Sequence, residues 1–342
     1  MKQKLFRMTT VASVCLAGAL LSACGGDSSS TGSGLYSGKT TQAAVSDVSV
    51  IALLAGITDI LPSCNSTVGD LTSTASAVKT VRQVLSAITQ KTVGKSVASP
   101  DKSIIPPSPP SPQTGTCGGT LTFPTYSHSS GTTTISIKWD NYCITNTRGN
   151  QVTYNGTLNA VDAGTPGAFG PVTTKLSANI PRLSIVEKTP PVPGPVVVVS
   201  NKTIALSGFV YVPTPGEIAT TSPLYLPGTT TITSFEAKDY KGDKQYKLGN
   251  MNIVTTMLIG GDIQITMTGR VYEGSTGYTV MTTVTPLLMD DSQNFISGEM
   301  LFTGSASTYA TCTALNEPGQ DFTVSVNGTP LSGQMSCYAP YL

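Results

Sequence analysis

Two hydrophobic periods divide the chain. From residue 41 to about 94 apolar positions recur at helical spacing, and from Cys117 onward they alternate. In VIALLAGITDIL, Val50, Leu53, Leu54, Ile57, Ile60 and Leu61 share one broad helical face, and Pro62 ends the run. A second helix is predicted to start at Asp70 as N-cap. It places Val78, Val81, Leu85 and Ile88 on one face, with Lys79, Arg82 and Gln83 outside, and Lys91 and Gly94 suit its end. Such a pair either packs on the core of the body or lies on a membrane surface. The outside face is not strongly basic, which favours the core.

The alternating part includes TTTISIKW, QVTYNGTLNAV, TTKLSANI, KTIALSGFVYV, TTTITSFEAKDY, DIQITMTGRVYE and DFTVSVNG. Turn signals such as YKGDK, IGGD and EGSTG separate several of them. Ten or more hairpin-linked strands predict a mainly β fold. The expected form is an antiparallel meander making a curved sheet, half-barrel or sandwich, with two short N-terminal helices. A short echo recurs as NGTL, SGFV, TGRV, SGEM and SGQM, each with glycine inside a strand. Glycine weakens a flat strand, so its repeated use predicts bends or close backbone approach, and a sheet bent repeatedly curls. Two Pro-rich loops interrupt the meander, EKTPPVPGP at 187–195 and a longer one at 212–228.

Charged residues make up only 11% of the 342 residues, and the formal net charge is +1. The basic residues are scattered, so there is no electrostatic case for nucleic acid. Lys2, Lys4 and Arg7 precede an apolar run, Met8 to Leu21, that is too short to span a bilayer. Leu21-Ser22-Ala23-Cys24 follows. This resembles the lipobox of bacterial lipoproteins, the rival being an ordinary signal peptide that happens to carry a cysteine. The resemblance implies cleavage before Cys24, with a covalent diacylglycerol and an acyl chain on that residue as the only added group. Several chains on one residue anchor stably where one is marginal. Gly25 stands where an Asp would favour retention at the inner membrane, so the same resemblance points to the outer membrane. The expected organisation is a signal at 1–23, an acylated and Gly/Ser-rich tether at 24–40 and a helical segment at 41–98. A Pro/Ser linker at 99–116 and a β domain at 117–342 follow. The linker reads as a spacer rather than a ligand for a proline-reading domain.

With Cys15 and Cys24 assigned to the N-terminus, Cys64, Cys117, Cys143, Cys312 and Cys337 remain, an odd number for an oxidising compartment. Cys117 and Cys143 bracket a predicted hairpin whose tip is HSSG, so a bridge there is geometrically reasonable. Cys312 and Cys337 form the second natural pair, and Cys64 is left over. Alternatively, Cys64 pairs with Cys117 and leaves Cys143 free. No CxxC is present, against a redox motif or zinc ribbon.

Catalytic signals are sparse. The single His128 falls in the predicted hairpin tip, a poor place for a held general base, and one histidine excludes a multi-His metal site. Asp290, Asp291 and Asn294 offer oxygen ligands that suit weak calcium binding. They lack EF-hand spacing and read more simply as an Asx-type turn. Glu236, Asp239 and Asp243 lie near a turn, and a glycosidase pair assembled from separate strands stays open. Trp139 is a core residue or part of a carbohydrate platform with Tyr211, Tyr225, Tyr240 and Tyr246.

TCGGTLTF, KWDNYC and YNGTL together resemble the cysteine-bracketed hairpin of uncharacterised β-rich bacterial surface lipoproteins, and that resemblance implies no activity. The expectation is therefore a non-catalytic, membrane-anchored envelope lipoprotein with a structural or interaction role, meeting an envelope protein, glycan or lipid. One alternative is a carrier of an apolar ligand in a half-barrel. The other is a carboxylate-based glycan hydrolase.

Overall fold

A computed structural model describes residues 34–47, 49–50, 111–146, 149–167, 170–190, 194–214, 227–258, 261–290, 295–317 and 320–331. The signal, Cys24, Cys64, Cys337 and nearly all of the predicted helical segment lie outside the described residues.

The strands are β1 (Gln113–Thr114), β2 (Thr120–Ser129), β3 (Thr132–Thr145), β4 (Gln151–Gly167), β5 (Gly170–Lys188), β6 (Val198–Pro213) and β7 (Gly228–Asp239). They continue with β8 (Lys244–Met257), β9 (Ile263–Glu273), β10 (Gly277–Met289), β11 (Phe295–Thr303), β12 (Tyr309–Glu317), β13 (Gln320–Val326) and β14 (Thr329–Pro330). They form one antiparallel sheet in sequence order, β1 to β14, in which the first and last strands do not pair. The expected meander is thus present as a single open, curved sheet. Each outer edge ends in a two-residue strand, one of them carrying Pro330, which limits the ladder left open to another chain.

Alternation dictates which side chains meet. One face of every long strand points to a continuous apolar core. Leu206, Phe235, Leu248 and Val271 make one cross-strand row, each paired with the next from β6 to β9. Met300, Cys312 and Val324 make another from β11 to β13. Val45 and Val50 join the same core from the N-terminal side.

The glycine echo marks bends. In β3 the pairing passes from Trp139 with Gly156 to Tyr142 with Tyr154, so Asp140 and Asn141 face one residue of β4. Asn141 takes φ 47°, a left-handed value that Asn tolerates. In β8 the same two-against-one count puts Asn250 and Met251 against Gly269, with Asn250 at φ 51°. Gly156 has φ 152°, and a Cβ there would collide with the carbonyl oxygen of Arg182. Gly208, in the β5–β6 ladder, and Gly298, in the β10–β11 ladder, also sit at irregular points, whereas Gly333 of SGQM lies outside the described residues.

Four boundaries differ from expectation. The β sheet begins at Gln113, inside the predicted linker, because Gln113 and Thr114 pair with Leu121 and Thr120. The predicted tether is already fixed at Leu35, which is buried. Residues 41–46 are not helical, and the first helical residue among those described is Asp47. Ser46 sets that start: its hydroxyl accepts from the Ser49 amide, the Ser49 hydroxyl accepts from the Ser46 amide, and Val50 donates to the Ser46 carbonyl at 2.9 Å. The β2–β3 turn is only Ser130-Gly131, both at positive φ, as a two-residue hairpin requires.

Candidate functional site

The bulge at Asn141 shapes a polar hollow on the solvent face of β3, β4 and β5. Its volume is about 390 Å³, and Asn141, Thr153, Asn155, Gly156, Arg182, Ser184 and Val186 line it. Gly156 is the one glycine among the lining residues. Asn155 Nδ2 donates to Asn141 Oδ1 at 3.2 Å, and Asn141 Nδ2 donates to Asp140 Oδ1 at 3.3 Å. Arg182 is exposed and makes no ion pair among the described residues. A guanidinium fork, two amides and two hydroxyls on one rigid sheet can hold hydroxyl or carboxylate oxygens. The hollow pairs no nucleophile with a base.

A second feature lies at one end of the sheet. Residues 35–45 form a strap that crosses the ends of β7 to β12. The Tyr36 amide donates to Glu236 Oε2 at 3.2 Å, and the Ser37 amide donates to Gln245 Oε1 at 2.9 Å. The Tyr36 hydroxyl reaches the carbonyl of Glu273 at 3.1 Å. Thr41 and Ala43 bond Tyr278 in both directions, at 3.0 and 2.8 Å. Ser305 then donates to Ala43, and Val45 donates to Thr308 Oγ1. Tyr36 packs edge-on against Tyr272, whose ring also sits under Lys247. Lys247 pairs with Glu236 at 3.7 Å. The strap is thus held by side chains from three strands and by backbone from two hairpin ends, β9–β10 and β11–β12. Burial pushes the Tyr36 phenol up, and the neighbouring Glu273 adds to the effect.

The predicted residues separate on inspection. Cys117 and Cys143 are bridged, with Cα atoms 5.0 Å apart. Backbone bonds support the bridge: Cys117 donates to Cys143, and Cys143 donates to Gly118. Cys143 is therefore not free, and Cys64 does not pair with Cys117. Cys312 is a free thiol buried in the core, so it forms no second bridge. Its expected partner, Cys337, lies outside the described residues. Desolvation, helped by Glu299, pushes the Cys312 thiol up and leaves it unreactive.

His128 lies in β2 rather than in the turn, and its Nδ1 is 2.8 Å from Thr133 Oγ1. Trp139 is buried in the core, as is Tyr211, so neither belongs to an exposed platform. Glu236 is committed to Lys247 and the strap, and Asp239 accepts from the Lys241 amide in the β7–β8 turn. They do not face each other across a cleft. Asp290 directly follows β10, whereas Asp291 and Asn294 lie outside the described residues. Among the described residues, no three metal-capable side chains cluster, and no helix is long and apolar enough to cross a membrane.

Sequence reasoning missed both the hollow and the strap. The alternation of β3 breaks at WDNYC, and that break was the available signal for the bulge behind the hollow. The strap had no comparable signal in its short polar sequence.

No family model, curated protein or solved structure matches this chain.

Proposed function

We propose that the protein is a bacterial envelope lipoprotein, anchored through acylated Cys24 to the outer membrane. Its role is non-catalytic, and its β sheet is presented to a partner. The observation that carries this reading is the strap. Twelve residues after Cys24 the chain is already sewn to the sheet end, by bonds from Tyr36, Ser37 and Lys39. A tether that must hold a body at a surface needs such a handover. The polar hollow around Arg182 is the surface offered to the partner, which by its donors is a hydroxyl-rich or carboxylate-bearing glycan or protein segment.

The test is fractionation of cells producing the full chain and its Cys24→Ser variant. The full chain is expected with the membranes and the variant in the soluble fraction. Recovery of the variant with the membranes, as abundant as the parent, contradicts the anchor.

A second reading has its own support. The core face of the curved sheet is apolar across every long strand, and the chain enters that core at Val45 and Val50. A carrier of an apolar ligand would use such a face. Native mass spectrometry of the soluble Cys24→Ser chain separates the two. A lipid-sized mass lost on denaturation favours the carrier, and the bare chain mass favours a core filled by the protein itself.

A further inference from the structure

We infer that the strap end of the sheet rests on the bilayer that holds the anchor, with the β5–β6 hairpin dipping into its surface; this rests on the anchor reading above. The turns joining β3–β4, β5–β6, β7–β8, β9–β10 and β11–β12 all lie at the end where the strap crosses. One of them is unlike the rest. Val196, Val197 and Val198 are consecutive and 53%, 51% and 40% exposed.

Their exposure has a structural cause. The β6–β7 ladder starts only at Lys202 with Asp239, and the β7–β8 turn reaches further along β6 only through the Tyr240 amide on Asn201 and Lys241 on Val199, so Val196 to Val198 lie beyond the β7 ladder. The hairpin is nonetheless firmly closed. Thr189 donates from its amide to the Val197 carbonyl at 2.9 Å, and its Oγ1 accepts from the Val197 amide at 2.8 Å. Three consecutive exposed valines held by that closure are costly in water and suit an apolar phase.

The surroundings fit a membrane interface. Tyr240 is 44% exposed beside the tip, with Lys238 over its ring at 5.3 Å. Lys241 Nζ donates to the Val199 carbonyl at 3.0 Å, which ties the β7–β8 turn to the projecting hairpin. Lys188, Lys202 and Lys244 lie at the same end, against Asp239 and Asp243. An apolar tip, an amphipathic tyrosine and a rim of lysines make the pattern of a peripheral membrane contact, in which lysines keep their charge at the headgroups. Among the described residues at the other end of the sheet, Val212 and Leu258 are exposed and sit singly, one in β6 and one just past β8.

Tether length makes the occupant the anchor's own bilayer. From Cys24 to Leu35 the chain spans at most about 38 Å fully extended. The strap end therefore stays near the surface, whereas the far end of β8 lies about 45 Å further along the strand.

The test uses the full lipidated chain reconstituted into phosphatidylcholine–phosphatidylglycerol vesicles that contain brominated phosphatidylcholine. Two variants are compared with the parent, Val197→Trp at the tip and Leu258→Trp at the far end. Both sites are exposed, so folding is unaffected, and native Trp139 is a constant buried background. The added Trp at 197 is expected to lose emission to bromine quenching while that at 258 keeps its emission. Vesicle flotation without quenching at 197, or equal quenching at both sites, overturns the docking but leaves the anchor standing. Failure to float at all overturns the anchor, and the docking with it.

Discussion

Asn250 and Gly269 meet where the sheet bends. The Asn250 carbonyl oxygen and the Met251 Cα lie 3.2 and 2.9 Å from where a Cβ on Gly269 would stand. The left-handed turn of Asn250 pushes two residues of β8 against one of β9, and only a glycine leaves room for them. Gly269→Val is therefore expected to cost about 2 kcal/mol. Gly194→Ala, with nothing within 4 Å of the new methyl, should stay within about 0.5 kcal/mol of the parent. Urea denaturation of both variants checks this.

The Cys117–Cys143 bridge ties the start of the sheet to β3 across 26 residues. Removing it by the double change to Ser is expected to lower stability by about 3 kcal/mol. Reduction of the parent opens the same bridge and should also lower stability. The denaturant midpoints with and without reductant report both.

Glu236 accepts from the strap and balances Lys247. Glu236→Ala removes the acceptor and leaves the largely buried Lys247 ammonium uncompensated, an expected loss of about 2 kcal/mol. Glu236→Gln keeps an acceptor for the Tyr36 amide and should lose less. Hydrogen exchange at residues 36–39 is expected to quicken in both, and most in the Ala variant.

The strap end also sets a pH response at both extremes. Burial pushes Glu273 up, but hydroxyl and amide hydrogen bonds from Ser275 and Thr276 together outweigh it and hold the carboxyl below its ordinary 4.5. Its contribution is complete above pH 4.5 and is lost as pH falls through the lowered value. The Tyr36 phenol is raised, so the folded state resists an ionisation that the unfolded chain undergoes near its ordinary 10.0. Stability is therefore expected to fall as pH rises above 10. Melting curves across pH should show a shallower acid limb for Glu273→Gln and a shallower alkaline limb for Tyr36→Phe.

The meander was legible because alternation is a local property, and so were the Cys117–Cys143 hairpin and the buried Trp139. Strand lengths were not. TTKLSANI reads as a short strand ending before Pro181, yet β5 runs through it to Lys188. Pairing passes from Thr157 with Arg182 to Asn159 with Asn179, so Pro181 sits in a bulge where no ladder N–H is required. The same irregularities hid the hollow, because Asn141, Asn155 and Arg182 come from three strands and converge only through register. The strap was illegible for a related reason. Its residues are short and polar, and they are fixed by partners 200 or more positions away. Helical residues begin at Asp47 because the Ser46–Ser49 cap, not the apolar period, decides where the helix starts.

The most direct test of lipid anchoring is the intact mass of the N-terminal peptide from protein extracted from membranes. A peptide that begins at Cys24 and carries a diacylglyceryl group plus an amide-linked acyl chain is the predicted result. A peptide that begins elsewhere, or that begins at Cys24 with an unmodified thiol, would contradict it.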